Sequence, residues 1–262
     1  SSAIKTVHID GQNNRVAYIG NLKVHPRFQS RFPKAPGPEK MQAWPLEGRI
    51  NSTSAGTITQ LIRSHLLHDS DWAYCVVMNG TQITPEAYTG NGRTAEFKPV
   101  ADLYILRIET TVGSILSKSK TTSEKGYSTY KRLCRSAYCD LGKPELRSTI
   151  PTQWFISGES ASGMLEDTRR AKRLYLNTDE ELASAHLSYF SFETTTAAIG
   201  VLEQALLSAQ KQGFPGMFVA LSKEQYRILS PHLARFSFSE SGATIYATDP
   251  LGSRLPVNTS EI

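Results

Sequence analysis

The chain has 262 residues, of which 39% are hydrophobic and 20% charged, the profile of an ordinary soluble globular protein long enough to bury a sizeable core. Its 29 Lys and Arg against 24 Asp and Glu leave a net charge of +5, which favours anionic partners such as phosphates, CoA or nucleic acid without demanding one. No apolar run reaches the roughly 18 residues that cross a bilayer, no signal segment opens the chain, and Cys75, Cys134 and Cys139 have neither metal-ligand nor redox spacing, which points to reduced thiols and a cytoplasmic setting.

Lys5–Ile9 and Val16–Val24 read as strands joined through Asp10-Gly11-Gln12-Asn13-Asn14, turn chemistry that predicts a hairpin. Proline cannot donate to a ladder, so His25-Pro26 ends the second strand and delivers Arg27, Gln29, Ser30 and Arg31 into a turn suited to an anion. From Phe32 to Ser54 the composition turns Pro- and Gly-rich without any period, an irregular surface excursion. Ser54 then caps a helix over Ala55–His68, where Ile58, Leu61, Ile62 and Leu66 share one face. Trp72–Met78 reads as a short buried strand stopped by Asn79-Gly80, and Ala101–Glu109 as another, with Pro99 expected to break any strand that includes it.

Ser114–Lys143 is polar and basic, with a weakly amphipathic run at Tyr127, Tyr130, Leu133 and Tyr138, and the division between two halves is placed near Val112–Thr122. Strands follow at Gln153–Ser157, within Glu166–Leu176 and at Leu187–Phe192. Thr196–Gln212 is the clearest helix, with Ile199, Leu202, Ala205, Leu206 and Ala209 along one side and Gly213 at its end. Strand Met217–Leu221, helix Lys223–Leu233 and strand Ala243–Thr248 complete the order, while the closing LPVNTSEI yields no assignment. Strand, helix, strand, strand in the first half is thus matched by the same order in the second, an element-level repeat with slight residue identity.

The stretch YIGNLKVHPRFQSR resembles the fourth strand and the start of the pyrophosphate loop in the GCN5-related N-acetyltransferases (GNAT). DWAYCVVMNG resembles that family's next strand, and Gly92-Arg93 through Phe97-Lys98-Pro99 its closing segment. AAIGVLEQALLSAQKQGFPGMFVALSKEQ is similar to the helix, strand and helix of a second such unit. The resemblance implies an α/β (α+β) fold of two GNAT-like mixed-sheet halves, central strands flanked by helices. The halves would be 1–112, with a Pro-rich insertion at 32–54, and 113–262.

It also implies transfer from acetyl-CoA or another acyl-CoA to an amine, without a metal. In such a reaction a splayed strand holds the thioester carbonyl with a backbone N–H, a base takes a proton from the amine, and an acid protonates the leaving thiolate. By resemblance, backbone contacts fall at Leu22, Lys23 and Val24 and pyrophosphate contacts at Arg27, Gln29, Ser30 and Arg31. Asn79 stands at the strand end and Tyr88 in the segment of the acid. Asn79-Gly80 is also simply a good turn, and Tyr88 a good packing residue.

After Arg31, however, Phe32-Pro33-Lys34 stand where the family has glycines, and FETTTAAIG in the second half is no phosphate loop. The alternative is therefore a catalytically inactive GNAT-like protein that binds an anionic partner through basic faces. The runs at 118–135 and at Arg169, Arg170, Lys172 and Arg173 are the faces in question, with nucleic acid the less favoured partner and a solvated surface the blander reading. Glu96, Lys98 and Asp102 form a nuclease-like trio that Pro99 argues against, and His65 and His68 lack further ligands for zinc. No G-x-S-x-G, Walker or G-x-G-x-x-G pattern occurs.

Overall fold

The computed structural model describes residues 2–20, 69–81, 84–87, 96–110, 120–175 and 180–261. The expected helix Ala55–His68, the Pro-rich segment 32–54 and the run from Asn21 to Arg31 lie outside the described residues.

Asp10 (φ 50°) and Gly11 (φ 79°) both adopt the left-handed backbone that a two-residue hairpin turn requires. They join β1 (Ser2–Ile9) to β2 (Gln12–Ile19), antiparallel with Ile9 opposite Gln12. The turn is tighter than the Asp10–Asn14 stretch expected, because Gln12 to Asn14 pair as strand. β3 is Trp72–Met78, as its apolar run predicts, and β4 is Lys98–Glu109. Pro99 does not break β4: it sits inside the strand opposite Tyr246, beside a register shift in the pairing with β11, where a missing N–H is tolerated.

The basic stretch folds as β5 (Lys120–Thr121), helix α1 (Ser123–Leu133) and β6 (Ala137–Cys139). The Thr122 hydroxyl caps α1 by accepting the Lys125 N–H at 3.3 Å. β7 (Gln153–Ser157) pairs with β8 (Ala161–Glu166). The strand expected within Glu166–Leu176 therefore ends where that window begins. Beyond it Asp167 turns inward and accepts from the Ser148 and Thr149 hydroxyls at 2.9 and 2.6 Å, bonds that take the chain out of the ladder. β9 (Ala185–Phe192), helix α2 (Thr195–Lys211), β10 (Gly216–Ser222), helix α3 (Lys223–Leu229) and β11 (Phe238–Ala247) follow. α3 stops short of Leu233 because Pro231 turns the next residues into a 3-10 helix over Ser230–Arg235.

The eleven strands among the described residues form one sheet in the order β5-β7-β8-β9-β10-β4-β11-β3-β2-β1-β6. Its centre is the antiparallel pair β4–β11, and from there the two sides read alike: an antiparallel neighbour (β10 or β3), a parallel one (β9 or β2), then an antiparallel one (β8 or β1). β4, from the first part of the chain, thus lies between β10 and β11 from the last part.

Strand alternation sends Met217, Val219 and Leu221 to one face, where they pack with Leu202, Ala205 and Leu206 of α2. Leu103, Ile105 and Ile245 point to the opposite face, which α1 covers with Tyr130. A fully buried leucine such as Leu202 stabilises by about 2 kcal/mol relative to an exposed one. Ala17, Ala73, Cys75, Phe97 and Tyr246 form a third, smaller cluster beside β2 and β3.

Candidate functional site

Among the described residues each parallel ladder is three residue pairs long. β2 and β3 pair at Val16–Trp72, Ala17–Ala73 and Tyr18–Tyr74, and β9 and β10 at Ala185–Met217, His186–Phe218 and Leu187–Val219. Past Tyr74, Cys75–Met78 keep β11 on one side, and no described strand pairs with them on the other. Separated parallel strands expose backbone N–H and C=O groups along a narrow cleft, a ready partner for an extended ligand with its own amides.

In the second split a bulge sharpens the divergence. Tyr189 takes a left-handed backbone (φ 52°), and the pairing with β8 shifts between Ser162 and Met164. The extra residue reverses the alternation, so Leu187 and Phe190 both pack towards α2 while Tyr189 packs towards α1. Gly163 stands opposite, and a Cβ there would lie 2.8 Å from Leu187, so glycine is what lets the bulged strand approach.

Between the diverging edges lies a cavity of about 80 Å³, lined among others by Leu103, Tyr130, Cys134, Phe190, Ala220 and Asn258. Asp102, Ser222 and Gln225 also border it; Asp102 pairs with Lys223 at 3.0 Å, and Ser222 and Gln225 cap each other's backbone N–H to start α3. The Cys134 thiol is half-buried, and burial pushes it up to about 11, so it is protonated at neutral pH. The closing segment, which gave no sequence assignment, forms one wall. The Tyr189 N–H donates to Asn258 Oδ1 at 2.8 Å, the Ser188 and Ser260 hydroxyls meet at 2.9 Å, and His186 Nδ1 meets the Thr259 hydroxyl at 2.9 Å. Glu261 reaches Lys5 Nζ on β1 at 2.9 Å. Burial opposes charge on both partners, yet Cys139, Glu261 and Tyr74 around Lys5 keep its pKa well above the usual value, and Lys5 and Arg147 hold Glu261 below its own.

Of the site residues expected from sequence, Asn79 is described. It follows β3 directly, donates its N–H to the Gly242 carbonyl at 2.9 Å and accepts from the Thr244 hydroxyl at 3.4 Å, which fastens the strand end to β11. Leu22, Lys23, Val24, Arg27, Gln29, Ser30, Arg31 and Tyr88 lie outside the described residues. Glu96 and Lys98 pair with each other at 3.2 Å, away from Asp102's bond to Lys223, so the three do not converge. The basic runs are partly neutralised: Arg132 and Arg135 share Glu193, and Arg169 and Arg173 share Glu181. Among the described residues no group of three or more His, Cys, Asp and Glu could hold a metal ion, and no helix is long and apolar enough to cross a membrane.

The overall fold is similar to that of proteins of known structure. N-myristoyltransferase from Saccharomyces cerevisiae, solved with bound myristoyl-CoA, superposes with a TM-score of 0.56 at 12% identity over 94% of this chain and 62% of that one. A second structure of the same enzyme with myristoyl-CoA gives 0.55 at 12% identity, over 94% and 65%. The fold is GNAT-like. The chain spans just under two thirds of the length of these N-myristoyltransferase chains. A GCN5-related N-acetyltransferase from Anabaena variabilis is also similar, with a TM-score of 0.49 at 11% identity over 96% of this chain and 60% of that one. No protein-family model and no curated protein matches the sequence.

Proposed function

We propose that this chain is a GNAT-like acyltransferase that takes an acyl group from an acyl-CoA and passes it to an amine. The observation that carries the reading is the short β2/β3 ladder: a parallel pairing that ends at Tyr18 and Tyr74 and leaves the Cys75–Met78 edge unpaired among the described residues. An edge of that kind matches the amide-bearing arm of a CoA thioester, and the S. cerevisiae enzyme of the same fold was solved with myristoyl-CoA bound. Bound there, the thioester supplies an activated acyl carbon. In this reading the backbone of Leu22, Lys23 and Val24 orients it, and Arg27, Gln29, Ser30 and Arg31 hold the phosphates. Tyr88 acts as the acid that returns a proton to the thiolate, and Asn79 fixes the end of the facing strand to β11. We further read residues 1–112 and 113–262 as two related halves, on the strength of the matching strand order on either side of β4–β11.

Acetyl-CoA and myristoyl-CoA are the first two ligands to test by thermal denaturation. A ligand at 100 times its Kd adds about 2.7 kcal/mol to stability, and Arg27→Ala with Arg31→Ala should lessen the shift at least tenfold in affinity. No shift with either ligand at millimolar concentration sinks the enzyme reading. Phe32-Pro33-Lys34 in place of loop glycines favours the second reading, an inactive GNAT-like module for an anionic partner. Binding without release of free CoA in the presence of amines would support it.

A further inference from the structure

We propose that the C-terminal segment Leu255–Glu261 is a built-in plug for the β9/β10 split, so that this second cleft takes no cofactor and the chain holds a single acyl-CoA, at β2/β3. The stoichiometry rests on the acyltransferase reading; the plug does not. A strand that bulges out of its ladder leaves backbone donors that must find an acceptor. At Tyr189 that acceptor is a carbonyl from the chain itself, Asn258 Oδ1 at 2.8 Å, an amide oxygen where a ligand carbonyl would otherwise be held. The Ser260 and Thr259 hydroxyls meet the Ser188 hydroxyl and His186 Nδ1, side chain to side chain, and Asn258, Thr259 and Ser260 are each at most 8% exposed. Pro256 and Glu261 tie the segment to the far end of the sheet. The Pro256 carbonyl accepts from the Cys139 thiol at 3.4 Å, and the Glu261 carboxylate grips Lys5. Upstream, Arg254 makes a two-pronged pair with Asp10 in the β1–β2 turn. What remains of the cleft is the cavity of about 80 Å³, walled by Leu255, Val257 and Asn258 on the plug side and by Cys134 at the C-cap of α1. Glu193, just before the Thr194 cap of α2, adds a carboxylate at the helix end where an anion would be favoured.

Cys134 reports on the plug without any cofactor. In the full chain its labelling by N-ethylmaleimide, read by peptide mass spectrometry, should be at least tenfold slower than in Asn258→Ala, which removes the carbonyl from Tyr189. Should Asn258→Ala fail to fold, Ser260→Ala removes a single hydroxyl contact and serves in its place. Equal rates in the full chain and a folded variant overturn the plug. Calorimetric titration of the full chain with acyl-CoA should give one equivalent, and two equivalents overturn the proposal while leaving the acyltransferase reading intact. No binding at all overturns the acyltransferase reading and the single cofactor with it, while the labelling rates decide the plug by themselves.

Discussion

His186 lies on β9 against Thr259, with its ring stacked on Phe218 at 5.5 Å between centroids. Burial drives its pKa from 6.5 down to about 3, helped by Lys172 and Arg147 and opposed by Asp167. In the unfolded chain the imidazole regains its proton near pH 6.5, so the unfolded state binds more protons than the folded one between that pH and about 3. Stability is thus complete above the unfolded value and falls on acidification through this window, by up to about 1.4 kcal/mol per pH unit. His186→Gln keeps a hydrogen-bonding side chain but cannot titrate. Urea unfolding of this variant from pH 6.5 to 3 should show a flatter acid limb than the parent, and an unchanged slope would mean His186 is not the group responsible. Glu261, held below its ordinary pKa, loses its contribution in the same direction on acidification, so the limb flattens without vanishing.

Helix α1 shows how an element can be hidden by its own composition. Its buried residues are Gly126, Thr129, Tyr130 and Leu133, an interface of one glycine, one hydroxyl and only two large apolar groups. Gly126 earns its place by contact: a Cβ there would lie 2.6 Å from the Trp154 ring, while its carbonyl accepts from the Ser162 hydroxyl at 2.8 Å. Helix propensity alone favours alanine by about 1 kcal/mol, but overpacking against a buried tryptophan costs about 1–3 kcal/mol. Gly126→Ala should therefore lower the urea midpoint, and a raised midpoint would show that Trp154 can move aside. β3 and β7, by contrast, are legible to the residue, because each is an apolar run between turn or polar residues. β8 (ASGMLE) is buried along its whole length, so it has no inside–outside alternation to betray it.

At the scale of the molecule, the interleaving of β4 between β10 and β11 ties the two ends of the chain together. β3 has only β2 and β11 as neighbours, and β10 only β9 and β4, so each half would lose central pairing if the other unfolded. Differential scanning calorimetry should show one cooperative transition. Two resolved transitions, one for each side of Val112–Thr122, would mean that the halves carry separate cores.

The sequence by itself determined which stretches are strands and helices over much of the chain and the mixed α/β class, because periodicity and turn chemistry act over a few neighbouring residues. Asn79 as the end of β3 was legible for the same reason. Only the tertiary structure decided that the β9/β10 split exists, that Tyr189 bulges there, and that Asn258, Thr259 and Ser260, in a segment without a sequence assignment, are buried. Those outcomes depend on partners some 70 residues away, such as Asn258 on Tyr189, and a polar side chain is as stable inside as outside once such a partner satisfies its hydrogen bonds.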